Sequence, residues 1–385
     1  MSHPHAHSRR RARRTAPTVR ILVAVGAIVT VTAVAAVAVG HRSGGSQAAT
    51  PTTSTTTSAP AVPLAVAAVS PTEGASGVST DATVTVRFTR PLSPSSPVPA
   101  LTPAVPGTWQ QVTPTMLAFV AAGPWAPGST VTVTVPAGTD GVKGSGGAVL
   151  DRPAATHFTV AAGSTLRLQQ LLAQLGYLPV SFAQTTPLAS PQQAAQPQEG
   201  SFTWRWAEPA SLVSLWTPGT DNVITRGAVM AFESRHQMKT DGQAGLAVWS
   251  ALLADAGAGT TTADAYNYVY VSKAVPQKVT VYSNGTPVYS TPANTGVAAA
   301  PTTTGTFPVY LRYVTQTMSG TNPDGSKYSD PGIPWVSYFH GGEALHGFVR
   351  GSYGWPQSVG CVEMPPENAK VVYPLTPIGT LVTVS

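Results

Sequence analysis

Cys361 is the only cysteine in 385 residues, set in the heptapeptide SVGCVEM, and His346 stands fifteen positions before it at the head of HGFVRGSYGWPQ. An ordinary thiol is only a few per cent thiolate at neutral pH, so a nucleophilic cysteine needs an imidazole within reach. The fifteen-residue spacing leaves room for a loop that returns on itself, with Gly351, Gly354 and Pro356 as bend formers. Gly360 lets the backbone approach a substrate without a Cβ in the way. Backbone N–H groups there could stabilise the oxyanion that forms when a thiolate attacks a carbonyl. Trp335, Tyr338 and His340 before the histidine, and Glu363 after the cysteine, are candidates for touching substrate. A zinc site from His340, His346 and Cys361 has the ligand types, but there is no second cysteine and a histidine pair six apart fits no known site pattern. The bland alternative for Cys361 is a small buried hydrophobe.

The elements that must hold these residues read as several domains, because 385 residues exceed one ordinary core. With 36 Gly, 36 Pro and 10% charged residues the chain reads as short strands and turns, mainly β. The net charge of +6 comes from seven arginines in the first 42 residues, which leave 15 basic against 16 acidic residues elsewhere. A basic tail is not a basic face, so nucleic-acid binding is not expected. Residues 21–40, ILVAVGAIVTVTAVAAVAVG, would span roughly 30 Å as a helix and are read as a membrane anchor. The arginines before it place the tail, 1–20, in the cytoplasm and the remainder outside. A cleaved signal peptide is the rival, with AVA at 36–38 as the small-residue pattern. HPHAH at the start reads as part of the tail, and residues 41–63 as a flexible linker.

From 64 to 162 period-2 alternation, as in ATVTVRF and TVTVTV, predicts a small antiparallel sandwich with Val84, Val86 and Phe88 on one inner face and Val131, Val133 and Val135 on another. Residues 163–258 read as three short helices. Leu168, Leu171, Leu172 and Leu175 stripe the first and Gly176 stops it. Thr225 is expected to cap the second. Their expected core is Leu171, Val229, Phe232, Leu246, Trp249 and Leu252, with Glu233 and His236 on the surface. A Pro/Gln-rich insertion at 179–223 carries Phe202, Trp204, Trp206 and Trp216, which read as core before carbohydrate platform. Residues 266–385 return to strands, with Asn284-Gly285 as a hairpin turn.

Three resemblances follow. Residues 64–162 resemble the bacterial immunoglobulin-like domains. LRLQQLLAQLGY with AVMAFESRHQMKTDGQAGLAVWSALL resembles the peptidoglycan-binding domain type 1. PTTTGTFPV, WVSYFHGGEALHG and SVGCVEM resemble, in order, the signature blocks of the L,D-transpeptidase (YkuD) catalytic domain, a His-Gly followed by Ser-x-Gly-Cys. The last resemblance implies Cys361 as nucleophile, His346 as general base, Gly360 and Cys361 as oxyanion donors, and Ser358 and Gly347 in support. Val359 stands where many members have His or Lys, and Glu363 where many have Arg or Asn. The implied reaction joins peptidoglycan stem peptides by 3→3 cross-links through a thioester, with carbapenems as acylating agents and no cofactor. An L,D-carboxypeptidase that hands the acyl group to water, or a non-catalytic wall-binding protein, would carry much the same sequence. A sortase would need an arginine downstream of the cysteine, and none follows Cys361. Oligomeric state is not legible.

Overall fold

The computed structural model describes residues 62–385, so the tail, the 21–40 anchor and nearly all of the linker lie outside the described residues. Among the described residues no helix is long and apolar enough to cross a membrane. They begin with two four-stranded sheets packed face to face. One runs Val66–Ser70, Val84–Phe88, Met116–Ala121, Gly107–Thr113, and the other Ala75–Val78, Ala154–Val160, Thr130–Val135, Ala100–Thr102. The β-branched alternation has the expected result: Val84, Val86 and Phe88 meet Val131, Val133 and Val135 around a buried Trp125.

Three helices follow, Thr165–Gln174, Val223–Arg235 and Leu246–Ala258. Ser164 caps the first through its Oγ, and Gly176, at φ +90°, ends it. The cap of the second is Asn222, whose side chain accepts from Thr225 N–H at 2.9 Å, so Thr225 lies inside the helix and not at its head. The shared core is Leu171, Val229, Phe232, Trp249 and Leu252 as expected, but Leu246 is 47% exposed, because it opens its helix ahead of the turn that docks. Glu233, expected on the surface, is not there, and His236 is only partly exposed. Glu233 is buried and accepts Gly242 N–H at 2.9 Å, while His236 stacks on Phe232 and pairs with Asp255 at 3.1 Å. The insertion has structure of its own: a hairpin, Val180–Gln184 with Gly200–Trp204, a 3-10 turn, Pro191–Ala195, and a one-turn helix, Ala210–Val213. Phe202, Trp204 and Trp216 pack on the helical core, whereas Trp206 carries Arg205 over its ring at 4.2 Å.

The C-terminal part is a second sandwich. Its first sheet is ordered Thr286–Pro292, Lys278–Ser283, Asn267–Ser272, Leu381–Val384, Gly305–Pro308. Its second is ordered Leu311–Thr321, Lys327–His340, Glu343–Gly347, Val362–Met364. Valines of the first sheet meet Phe339, Leu345, Val362 and Met364 of the second. Asn284 and Gly285 both take positive φ, the requirement of a tight two-residue hairpin turn. The helical part shares core with this sandwich: Tyr268 and Leu381 join the cluster of Leu171 and Phe232. Gly227 makes the approach possible, since a Cβ there would lie 2.6 Å from Gly379 O.

Candidate active site

The two central residues are brought together by one parallel strand pair. Glu343–Gly347 runs beside Val362–Met364 with Leu345 opposite Val362 and His346 opposite Glu363. Side chains alternate across a strand, so Leu345 and Val362 turn into the core while His346 and Glu363 share the other face. Cys361 lies just before that strand, and with His346 it lines a cavity of about 250 Å³ together with Tyr328, Asp330, Arg350 and Glu363. The roof is the long hairpin Leu311–Thr321 with Lys327–His340, whose far end contributes Met318, Asn322, Tyr328 and Asp330.

His346 is buried, and its Nδ1 is 3.0 Å from Gly347 O. A carbonyl only accepts, so Nδ1 carries the proton and Nε2 is left as the acceptor. Burial pushes the imidazole pKa down and the nearby Arg350 charge adds to this, opposed by the Gly347 carbonyl and Glu363. The Cys361 sulfur lies 3.8 Å from Gly342 O. Burial pushes its thiol up to about 12, with the Ala344 N–H lowering it and Glu363 and Glu343 raising it.

The nucleophile segment is held from behind. Buried Ser358 donates its Oγ to Cys361 O at 2.6 Å, and Thr302 Oγ1 donates to the same carbonyl at 3.4 Å. Asn294 exchanges backbone bonds with Glu363, both at 2.9 Å, and its Oδ1 accepts from Gly354 and Trp355 in the intervening loop. Gly360 has φ +103°, a conformation side-chain-bearing residues rarely adopt. Neither its N–H nor that of Cys361 donates to an acceptor among the described residues.

The other expected contacts divide. Glu363 lines the cavity but is bound bidentately by Arg350, Nε to Oε2 at 2.8 Å and Nη2 to Oε1 at 2.7 Å, so it presents no net charge to a ligand. Val359 lines the same cavity. Tyr338 packs with Cys361, Ala344 and Met318 beside it. His340 is outside the cavity lining, 4.2 Å from the Phe307 ring. Trp335 is turned the other way, onto Tyr373 at 5.6 Å and the sandwich core. Arg350, Asp330, Glu343 and Asn294 were not singled out by sequence. Arg350 precedes the cysteine in the chain yet stands beside it in space, and the only signal was an arginine and a glutamate flanking the motif. Glu343 accepts from Thr303 N–H and Oγ1 and lies against Gly360.

A thiol, an imidazole with an acceptor nitrogen and two backbone donors without a partner among the described residues thus line or border one cavity of a β-sandwich. The comparisons with known proteins give it a family. Residues 266–384 match the L,D-transpeptidase catalytic domain (YkuD), and residues 60–160 match a bacterial Ig-like domain. The C-terminal part of this chain is an L,D-transpeptidase catalytic domain, preceded by an Ig-like domain.

Among similar solved structures, L,D-transpeptidase 3 from Mycobacterium tuberculosis is 15% identical over 83% of this chain and 98% of that one, TM-score 0.29. An L,D-transpeptidase from Mycobacterium smegmatis is 15% identical over 84% and 100%, TM-score 0.29. The catalytic domain of the E. faecium enzyme acylated by ertapenem is 25% identical over 32% of this chain and 100% of that one, TM-score 0.29. No curated protein matches the chain.

Proposed function

We propose that the protein is a peptidoglycan L,D-transpeptidase that forms 3→3 cross-links between stem peptides through a Cys361 thioester. The observation that carries this reading is the placing of Cys361, His346 and the free N–H groups of Gly360 and Cys361 around one cavity. His346 Nε2 takes the thiol proton as sulfur attacks the carbonyl of the third residue of a stem tetrapeptide. The oxyanion is held by the two N–H groups, the imidazolium returns its proton to the departing amine, and terminal D-alanine leaves. The amine of a second stem peptide then attacks the thioester, His346 accepting its proton, and the thiol is regenerated. One amide replaces another, so the exchange is nearly balanced and draws on no outside energy source.

Asp330 favours transfer over hydrolysis. Its half-buried carboxylate lines the cavity without an ion pair among the described residues, while Glu363 is neutralised by Arg350. The cavity therefore carries one uncompensated negative charge, suited to an incoming amine and indifferent to water. In this reading the 21–40 segment anchors the protein in the cytoplasmic membrane, the catalytic domain works on the wall side, and the helical part is a peptidoglycan-binding-like module.

Intact-mass spectrometry tests it. The chain incubated with a stem tetrapeptide or a carbapenem is expected to gain one covalent adduct that is missing in Cys361→Ala. An acceptor amine should then consume the adduct as cross-linked product. Consumption by water alone would give the L,D-carboxypeptidase reading, and no adduct on a folded protein with a free thiol would leave a wall-binding structural role.

A further inference from the structure

Arg167 is 3% exposed, and among the described residues no carboxylate pairs with it. Its guanidinium has only neutral partners: Nε donates to Ala194 O at 2.8 Å and Nη1 to Gln170 Oε1 at 3.4 Å. A buried cation without an anion is costly, and buried charges are ordinarily paired. Arg167 lines a cavity of about 680 Å³, in the size range of sites for small organic ligands. This cavity lies where three parts of the chain meet. Gly123 and Pro124 come from the Ig-like domain, Arg167 and Gln174 from the first helix, and Leu188 and Ala194 from the insertion. The end of the third helix, with Leu253 and Gly257, closes it. The insertion ties these parts together through Gln192 Nε2 to Ala121 O at 2.5 Å and Gln196 Nε2 to Thr80 Oγ1 at 2.7 Å.

We propose that this junction is a second ligand site, which takes the free carboxyl end of a short peptide of small residues. A planar guanidinium with unused donors matches one carboxylate in a bidentate fork, and Arg167 lies in the first turn of its helix, where the backbone dipole also favours an anion. The walls beyond it are mostly alanine, glycine, proline and leucine, an apolar lining that suits small aliphatic side chains. Gln174 is half-buried and its amide makes no hydrogen bond among the described residues, leaving both a donor and an acceptor for a peptide group. A phosphate would bring more charge than one guanidinium neutralises, and an alkyl chain would leave that amide unused. The site is remote in sequence from Cys361 and does not depend on its chemistry.

The test is calorimetric titration of the full-length Cys361→Ala chain with N-acetyl-alanyl-alanine, its C-terminal amide, and inorganic phosphate. The free acid is expected to bind saturably, and the amide about tenfold to a hundredfold more weakly, the loss of a charge-assisted hydrogen-bond pair. Arg167→Met should reproduce that loss. Gly257→Trp should also abolish binding, because its side chain enters open space at the cavity wall and leaves Arg167 untouched. Equal affinity for acid and amide, binding that survives Gly257→Trp, tighter binding of phosphate than of the dipeptide, or no saturable binding would each overturn the proposal. Because the protein tested lacks the thiol, failure here leaves the transpeptidase reading standing, and failure of acylation leaves this one.

Discussion

Two arginines line two cavities of this molecule and are satisfied in opposite ways. Arg350, beside Cys361, is locked to Glu363 by two charge-assisted bonds, stacks over Phe348 at 4.6 Å, and fixes the loop through Gln357 O. Arg167, at the junction of the Ig-like and helical parts, is more deeply buried and has a carbonyl and an amide oxygen for company. The first is a finished piece of architecture: its charge is spent inside the protein. The second is unfinished. Burial depresses the Arg167 guanidinium to about 10 with nothing opposing it, while Glu363 holds the Arg350 proton more firmly than usual. Paired charge near the thiol positions groups, and unpaired charge at the junction awaits a partner.

The largest effects that sharpen this comparison lie at the thiol. Cys361→Ala should remove acylation altogether, and His346→Ala should slow it by about a hundredfold to ten-thousandfold, the range of general base catalysis, measured as the rate of adduct formation. With the thiol pushed up to about 12, iodoacetamide alkylation should still be climbing at pH 10. A plateau near pH 8 would show a resting thiolate instead. Next comes the pair itself. Glu363→Gln leaves Arg350 uncompensated and is expected to cost about 2 to 3 kcal/mol in denaturant unfolding, at the low end for a broken buried pair because Arg350 remains 31% exposed. The double variant Arg350→Met with Glu363→Leu should recover most of that loss while substrate turnover stays low. Additive losses would mean that the pair is not a unit.

How much of this was legible beforehand follows the same division. Alternation in TVTVTV and VTVRF marked the sandwich strands because burial on one face leaves a period-2 trace, and the Ser-x-Gly-Cys block named the thiol through its resemblance to the family's signature. Ion pairs leave no such trace. Arg350 and Glu363 are thirteen residues apart, and only the pairing of Glu343–Gly347 with Val362–Met364, with the loop between that carries Arg350, makes them neighbours. Glu233 misled for the mirror reason: a charged residue in a helix reads as solvated, and the Gly242 N–H that permits its burial comes from a loop nine residues on. Trp335 looked like a substrate contact from its place before the histidine, but at φ +60° its backbone turns the ring to the opposite side. Asn222 displaced Thr225 as cap because either residue type can accept the orphan N–H, and the helix began one turn earlier.

The buried carboxyl of Glu233 supplies the next prediction. Burial raises it to about 7, opposed by the Gly242 N–H. A carboxyl that holds its proton more tightly folded than unfolded favours the fold below its unfolded pKa, and this advantage is lost as pH rises through the folded value. Stability should therefore fall between about pH 4.5 and 7 by on the order of 2 to 3 kcal/mol. Glu233→Gln should flatten that slope in urea titrations, and an unchanged slope would place its origin elsewhere.

The smallest effect is the most telling for the comparison. Removing one arm of a satisfied pair strands the other, but Arg167→Met strands only a carbonyl and an amide, and removes an unpaired charge from a buried place. The two lost hydrogen bonds and the relieved desolvation pull in opposite directions and are of similar size, so the change in unfolding free energy should stay within about 1 kcal/mol of zero. Unfolding of the variant in urea, beside Glu363→Gln under the same conditions, measures the contrast directly. A loss as large as that of Glu363→Gln would make Arg167 a strut of the junction. A near-zero change, with the loss of dipeptide binding, is what an arginine kept for a ligand should give.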